Sequence, residues 1–146
     1  MHVLLVDDYA LYRDSLVAAL RACAPGLTVT VHATAAQAWA ALAADAERYD
    51  LVLVDDELGA GPRGLDWAVR IRARHPSLPC ALLVAEVEGA RCDEARRAGL
   101  AACLAKALDI PEFLAAFAAV QRGQTWYADV DRGRGEARAR RRGERD

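Results

Sequence analysis

Asp7 and Asp8 follow the first apolar run of the chain, Asp55 closes the third, and Lys106, the sole lysine among nineteen cationic residues, follows the fifth. Carboxylates gathered within a few ångströms repel one another unless a divalent cation neutralises them. An oxygen-rich, partly hydrated group of this kind suits Mg²⁺ rather than zinc. With Mg²⁺ bound, one carboxylate can attack phosphorus while the metal and an ammonium group offset charge on the transferring oxygens. Asp55 is the natural nucleophile, because it caps Leu51-Val52-Leu53-Val54, the most strand-like segment, and stands between the acidic pair and Lys106. Asp8 would ligate the metal, Asp7 would ligate it or orient a bound water, and the backbone carbonyl of Glu57 would complete the shell. Lys106 would contact the phosphoryl group. Taken singly, each residue has a plainer reading: acids after strands cap helices, Asp55 or Asp56 is an ordinary loop residue, and an isolated lysine is solvated surface. The argument rests on all four standing at the ends of three separate strands.

Those strands belong to a regular alternation. Apolar runs predict strands at His2 to Val6, Leu27 to His32, Leu51 to Val54, Cys80 to Val84 and Ala101 to Ala105. Between them, helical spacing predicts helices over Tyr9 to Ala22, Ala35 to Glu47, Leu65 to Arg74 and Ala90 to Ala98, with a last helix from Pro111 to Arg122. Thr34 is placed to cap the second helix, Gly99 to close the fourth, and Pro111 to open the fifth. Five βα units of this kind form a doubly wound α/β fold with a parallel sheet. In such sheets functional groups gather at the carboxyl ends of the strands, near the point where the strand order reverses. A five-stranded order 2-1-3-4-5 makes the first and third strands neighbours, which brings Asp7, Asp8 and Asp55 into one shallow pocket with Lys106 in reach.

The 146 residues suffice for one domain with a real core. No stretch of eighteen apolar residues occurs, and Met1 to Val6 meets Asp7 and Asp8 too early for a signal-peptide core, so a cytoplasmic protein without a membrane segment is expected. Four cysteines, Cys23, Cys80, Cys92 and Cys103, are scattered singly without CxxC or Cys/His spacing, which argues for reduced, mostly packed thiols and against zinc. The net charge of −2 hides an asymmetry: residues 132–146 hold seven arginines against three acids, and the rest of the chain is acidic. Beyond Tyr127 the apolar pattern gives way to Gly and Arg, a composition expected to stay solvated and largely disordered. Without interleaved aromatics, this tail argues against nucleic acid as a partner of the domain. Trp39 and Trp67 fall at core-facing helical positions, and Trp126 is placed to cover the end of the last helix.

Taken together, Val3-Leu4-Leu5-Val6-Asp7-Asp8, Leu51-Val52-Leu53-Val54-Asp55, Gly64-Leu65 and Leu104-Ala105-Lys106 resemble the receiver domains of two-component signalling. The resemblance spans about Met1 to Gln124, leaving 125–146 as a basic tail, and it implies a flavodoxin-like three-layer α/β/α sandwich. The last helix running into Arg122-Gly123-Gln124-Thr125-Trp126-Tyr127 is similar to the receiver end of LuxR/NarL-type regulators, although no helix-turn-helix output domain follows in this sequence. The family implies a phosphoacceptor at Asp55, a sensor histidine kinase or phosphotransfer protein as donor, a signalling role in place of an enzyme's, and homodimerisation through the fourth-helix to fifth-helix face.

The sequence also departs from the family pattern. Ala85 stands where a Thr or Ser hydroxyl usually turns toward the phosphoryl group, and Cys103 stands at the aromatic switch position of the fifth strand. Gly61-Pro62-Arg63 lies in a loop that is one residue longer than usual, Lys106 is followed by Ala107 in place of Pro, and Glu57 adds a carboxylate at the mouth. An altered output switch follows from these substitutions. The rival reading is a degenerate receiver that acts as an interaction module without phosphorylation. A phosphatase or phosphotransferase that turns over its own aspartyl intermediate has Glu57 as its sole candidate acid or base, and nucleotide-binding glycine motifs are absent.

Overall fold

The computed structural model describes residues 1–59, 61–86 and 89–127. In chain order these form β1 (His2–Val6), α1 (Ala10–Cys23), β2 (Thr28–His32), α2 (Ala35–Asp45), β3 (Leu51–Asp55), α3 (Gly64–Arg74), β4 (Cys80–Val84), α4 (Gly89–Arg97), β5 (Ala102–Ala105), α5 (Ile110–Gln121) and β6 (Trp126–Tyr127), with one 3₁₀ turn at Ala46–Arg48. The strands make one sheet in the order β2-β1-β3-β4-β5-β6, and every described pairing is parallel.

The caps follow from local chemistry. The Thr34 hydroxyl accepts from the Gln37 N–H at the start of α2, and the Asp109 carboxylate accepts from the Glu112 N–H at the start of α5, where Pro111 occupies the first turn. Gly99, at φ +80°, turns the chain out of α4 in the left-handed region that glycine tolerates.

The five-strand expectation is corrected by β6. Trp126 and Tyr127 pair with Ala102 and Cys103 of β5, so they lie in the sheet and not in a tail beginning at 125. Polar Gly123, Gln124 and Thr125 hide this strand in the sequence, because two residues are too few to show an alternation. What pins it is tertiary: Trp126 is buried with Phe113, Ala116 and Val120 of α5, and the Tyr127 hydroxyl donates to the Leu100 carbonyl. The basic tail, residues 128–146, lies outside the described residues.

Successive strand residues face opposite sides of the sheet, and this alternation sorts the core in two. Val3, Leu5, Leu51, Leu53, Leu83 and Leu104 pack with Leu16 and Leu20 of α1 and Phe113 and Phe117 of α5. Leu4, Val6, Val52, Val54, Leu82 and Cys103 pack with Ala38 and Leu42 of α2, Ala68 and Ile71 of α3, and Cys92 and Ala95 of α4. The result is the expected α/β/α sandwich with β2 at one edge. Each fully buried leucine contributes about 1.5–3 kcal/mol from water exclusion. Trp39 and Trp67 meet at 6.2 Å between ring centres and are half-buried against the second cluster.

Candidate functional site

The same alternation aims the polar residues at the strand ends. Asp7 continues the series Val3, Leu5; Asp55 continues Leu51, Leu53; Lys106 continues Ala102, Leu104; all three series face the α1 and α5 side. Because Val6 lies beside Val54 in the register, Asp7 and Asp55 emerge at the same level of neighbouring strands. Asp7, Asp8 and Asp55 accordingly place carboxylate oxygens within 4.8 Å of one another. Lys106 reaches past the end of β4, and its Nζ donates to Asp55 Oδ2 at 2.8 Å and stands 3.8 Å from Asp7 Oδ2. The four residues picked out by type and spacing thus lie together in one cluster.

Backbone donors hold two of the carboxylates from behind. The Tyr9 N–H donates to Asp7 Oδ1 at 2.8 Å, and the Glu57 N–H donates to Asp55 Oδ1 at 3.0 Å. Asp8 is exposed, and its Oδ2 accepts from the Gly59 N–H at 2.8 Å, tying the end of β1 to the loop after β3. The Glu57 side chain is exposed at the mouth.

Asp7 is fully buried, yet its Oδ2 has no hydrogen-bond partner. A buried unpaired carboxylate oxygen costs free energy unless a cation or proton satisfies it. Burial holds the Asp7 carboxyl above the usual carboxylate range; the charges of Asp55 and Asp8 push the same way, opposed by the Tyr9 N–H and Lys106. This orphaned oxygen beside two further carboxylates fits a hard divalent cation such as Mg²⁺, with Asp7, Asp8 and Asp55 as candidate ligands. Burial works against the Lys106 ammonium, but the Asp55 hydrogen bond and the charges of Asp55, Asp7 and Glu57 outweigh it, so its pKa is raised and it stays charged.

Tyr12 and Asp56 were not singled out by sequence. The Tyr12 ring lies 4.9 Å from Lys106 Nζ, and its hydroxyl donates to the Lys106 carbonyl at 3.2 Å. Burial, then the charges of Asp7 and Asp55, pushes this phenol above its ordinary range. Asp56, which looked like an ordinary loop residue, is 5% exposed and continues the opposite series, Val52 and Val54, toward α4. Its Oδ2 accepts from Arg91 Nη2 at 2.5 Å, Arg91 Nε at 2.9 Å and Arg63 Nη2 at 3.1 Å, while Oδ1 accepts from the Leu65 N–H at 3.3 Å. Arg91 also pairs with Glu94. The only trace of this network in the sequence is period two: Asp56 must face away from Asp55.

Ala85 is exposed at the end of β4 and lines a cavity of about 270 Å³ together with Asp56, Arg63 and Arg91. Cys103 is fully buried on the α4 face, where Cys92 Sγ lies 3.1 Å from its own sulfur. Neither switch position carries the hydroxyl or the ring that the family pattern leads one to expect.

Three carboxylates and an ammonium thus gather at the carboxyl ends of β1, β3 and β5. No curated protein matches this sequence significantly. The solved structure of a LuxR-family two-component response regulator from Aurantimonas sp. SI85-9A1 superposes with a TM-score of 0.79 at 24% identity, covering 95% of this chain and 96% of that one. A LuxR-family DNA-binding response regulator from Silicibacter pomeroyi superposes at 0.74 with 27% identity, covering 90% and 98%. The signal receiver domain of NarL from Mycobacterium tuberculosis superposes at 0.72 with 25% identity, covering 84% and 97%. The family model of the response regulator receiver domain matches residues 3–118, and the chain belongs to that family.

Proposed function

We propose that Asp55 accepts a phosphoryl group from a sensor histidine kinase or a phosphotransfer protein, in the cytoplasm, within a receiver unit spanning residues 1–124 and its appended β6. Receiver domains are phosphoacceptor signalling domains rather than enzymes in the usual sense, and they work with histidine kinases or phosphotransfer proteins. The observation that carries the reading here is the pairing of Lys106 Nζ with Asp55 Oδ2 at 2.8 Å beside the Oδ2 of buried Asp7, which accepts no hydrogen bond.

In this reading Asp55 attacks phosphorus through one carboxylate oxygen, the phosphorus–nitrogen bond of the donor histidine breaks, and the imidazole leaves with its electron pair. Asp7, Asp8, Asp55 and the backbone carbonyl of Glu57 would hold Mg²⁺, which supplies charge neutralisation at the transferring oxygens. Lys106 releases Asp55 Oδ2 and moves to the new phosphoryl oxygens, keeping its charge inside the pocket. The Glu57 N–H holds the remaining oxygen of Asp55, so the nucleophile keeps one orientation.

Ala85 offers no hydroxyl to the phosphoryl group and Cys103 no aromatic ring, so the output differs from a threonine and aromatic couple. The decisive experiment incubates the protein with Mg²⁺ and a small acyl phosphate and compares intact masses with an Asp55→Asn control. One added phosphoryl group that requires both Mg²⁺ and Asp55 is the expected result. No adduct under conditions where Mg²⁺ binding is measured would replace this reading with the degenerate receiver, an interaction module independent of phosphorylation.

A further inference from the structure

We propose that Cys92 and Cys103 are a dithiol modification site, which a hydroperoxide converts to a reversible disulfide pinning α4 to β5. Cys92 lies on the inner face of α4 and Cys103 on the facing side of β5, and the Cys92 thiol donates to Cys103 Sγ across 3.1 Å. A disulfide bond is about 2.05 Å long, so closure asks for about 1 Å of approach between sulfurs already in contact. The pair is separate from the acidic pocket, since Cys103 belongs to the opposite side-chain series from Lys106.

Two features favour reaction over inert packing. First, α4 is weakly anchored: the side chains it buries among the described residues are Cys92 and Ala95, whereas α5 buries Phe113, Phe117 and Val120 besides two alanines. A helix with so little apolar contact, held besides by the Arg91–Asp56 ion pair, opens locally more readily than α5, which admits a small oxidant. Second, Cys92 is 5% exposed and Cys103 fully buried, so Cys92 is met first.

The chemistry balances with one equivalent of hydroperoxide. Cys92 sulfur attacks the peroxide oxygen, the O–O bond breaks, and an alcohol or water leaves with the thiol proton, giving the sulfenic acid. Cys103 sulfur then displaces its hydroxyl, which leaves as water with the Cys103 proton. Two thiols are oxidised, one hydroperoxide is reduced, and an external dithiol reverses the bond by exchange. Arg91, adjacent to Cys92, holds Asp56 next to Asp55, so the position of α4 and the phosphoacceptor strand are joined through one ion pair.

The test uses the full chain carrying Cys23→Ser, which removes the exposed thiol. After hydroperoxide, remaining thiols are alkylated in denaturant and the protein is cut with trypsin without reductant. The expected product is Cys92–Arg96 joined to Ala98–Lys106, separated again by a dithiol, with Cys80 alkylated. Amides of α4 should exchange about tenfold more slowly in the oxidised form, a local-opening effect that does not depend on phosphorylation. Alkylation of both Cys92 and Cys103 after oxidation, or a sulfinic acid on Cys92 without the crosslink, would overturn the proposal, and equal α4 exchange in the two forms would overturn the pinning.

Discussion

Gly64 lies so close under Asp55 that a β-carbon on it would stand 1.9 Å from the Asp55 carbonyl oxygen and 2.7 Å from the Cα of Asp56. The Gly64 N–H also donates to the Asp56 carbonyl at 3.0 Å, so the first turn of α3 rests directly on the end of β3. Backbone cannot yield as a flexible side chain does. Gly64→Ala should therefore lower stability by more than about 2 kcal/mol and weaken Mg²⁺ binding by displacing Asp55. Urea unfolding with and without Mg²⁺ measures both; an unchanged midpoint would contradict this packing.

Asp7→Asn should stabilise the metal-free protein. The substitution removes a buried charge whose Oδ2 accepts no hydrogen bond and whose desolvation and repulsion from Asp55 and Asp8 outweigh the Tyr9 N–H and the Lys106 ammonium at 3.8 Å. A gain of about 1–2 kcal/mol is expected in chelator, together with loss of most of the stabilisation that Mg²⁺ gives the unaltered chain. Thermal unfolding in chelator and in Mg²⁺ separates the two effects, and a destabilised metal-free variant would count against a cation site built on Asp7.

Lys106→Met should have the opposite effect on the metal. Lys106 already neutralises Asp55 and lies 3.8 Å from Asp7, so removing it leaves more negative charge for Mg²⁺ to offset. Calorimetric titration should show Mg²⁺ affinity raised several-fold, while the metal-free form loses stability. Weaker Mg²⁺ binding would mean that Lys106 supports the acidic pocket in some way other than charge.

Arg91→Ala should loosen α4 without emptying the acidic pocket. Arg91 is the closer of the two guanidiniums on Asp56, which is nearly fully buried, and Arg63 is well exposed. Leaving a buried carboxylate with one solvent-screened partner should cost about 2–3 kcal/mol. Hydrogen exchange should rise over α4 and the end of β3 and stay unchanged over α1. Arg91→Lys should recover little, because an ammonium cannot supply both the Nε and Nη2 bonds that Asp56 accepts.

Asp7, Asp8, Asp55 and Lys106 were legible because each ends an apolar run, and a parallel sheet delivers such ends to one edge. The helices were legible for similarly local reasons: Thr34 caps α2, Gly99 closes α4, and α5 starts around Pro111. Strand β6 was not, since Trp126 and Tyr127 become a strand only when β5 offers its edge and α5 buries the indole.

The partners of Asp56 and the meeting of two cysteines eleven positions apart depend on where α4 lies. Arg91 and Cys92 are neighbours in the chain, yet one turns to the end of β3 and the other into the sheet against Cys103. Periodicity fixes which side of a strand a residue faces, so the sequence alone determined the α/β class, the strand ends and the residues on them. The pairing of side chains across elements is set by helix position and by the sheet's free edge, which only the packed structure decided: the Arg91–Asp56 ion pair, the Cys92–Cys103 contact, the orphaned oxygen of Asp7 and the sixth strand.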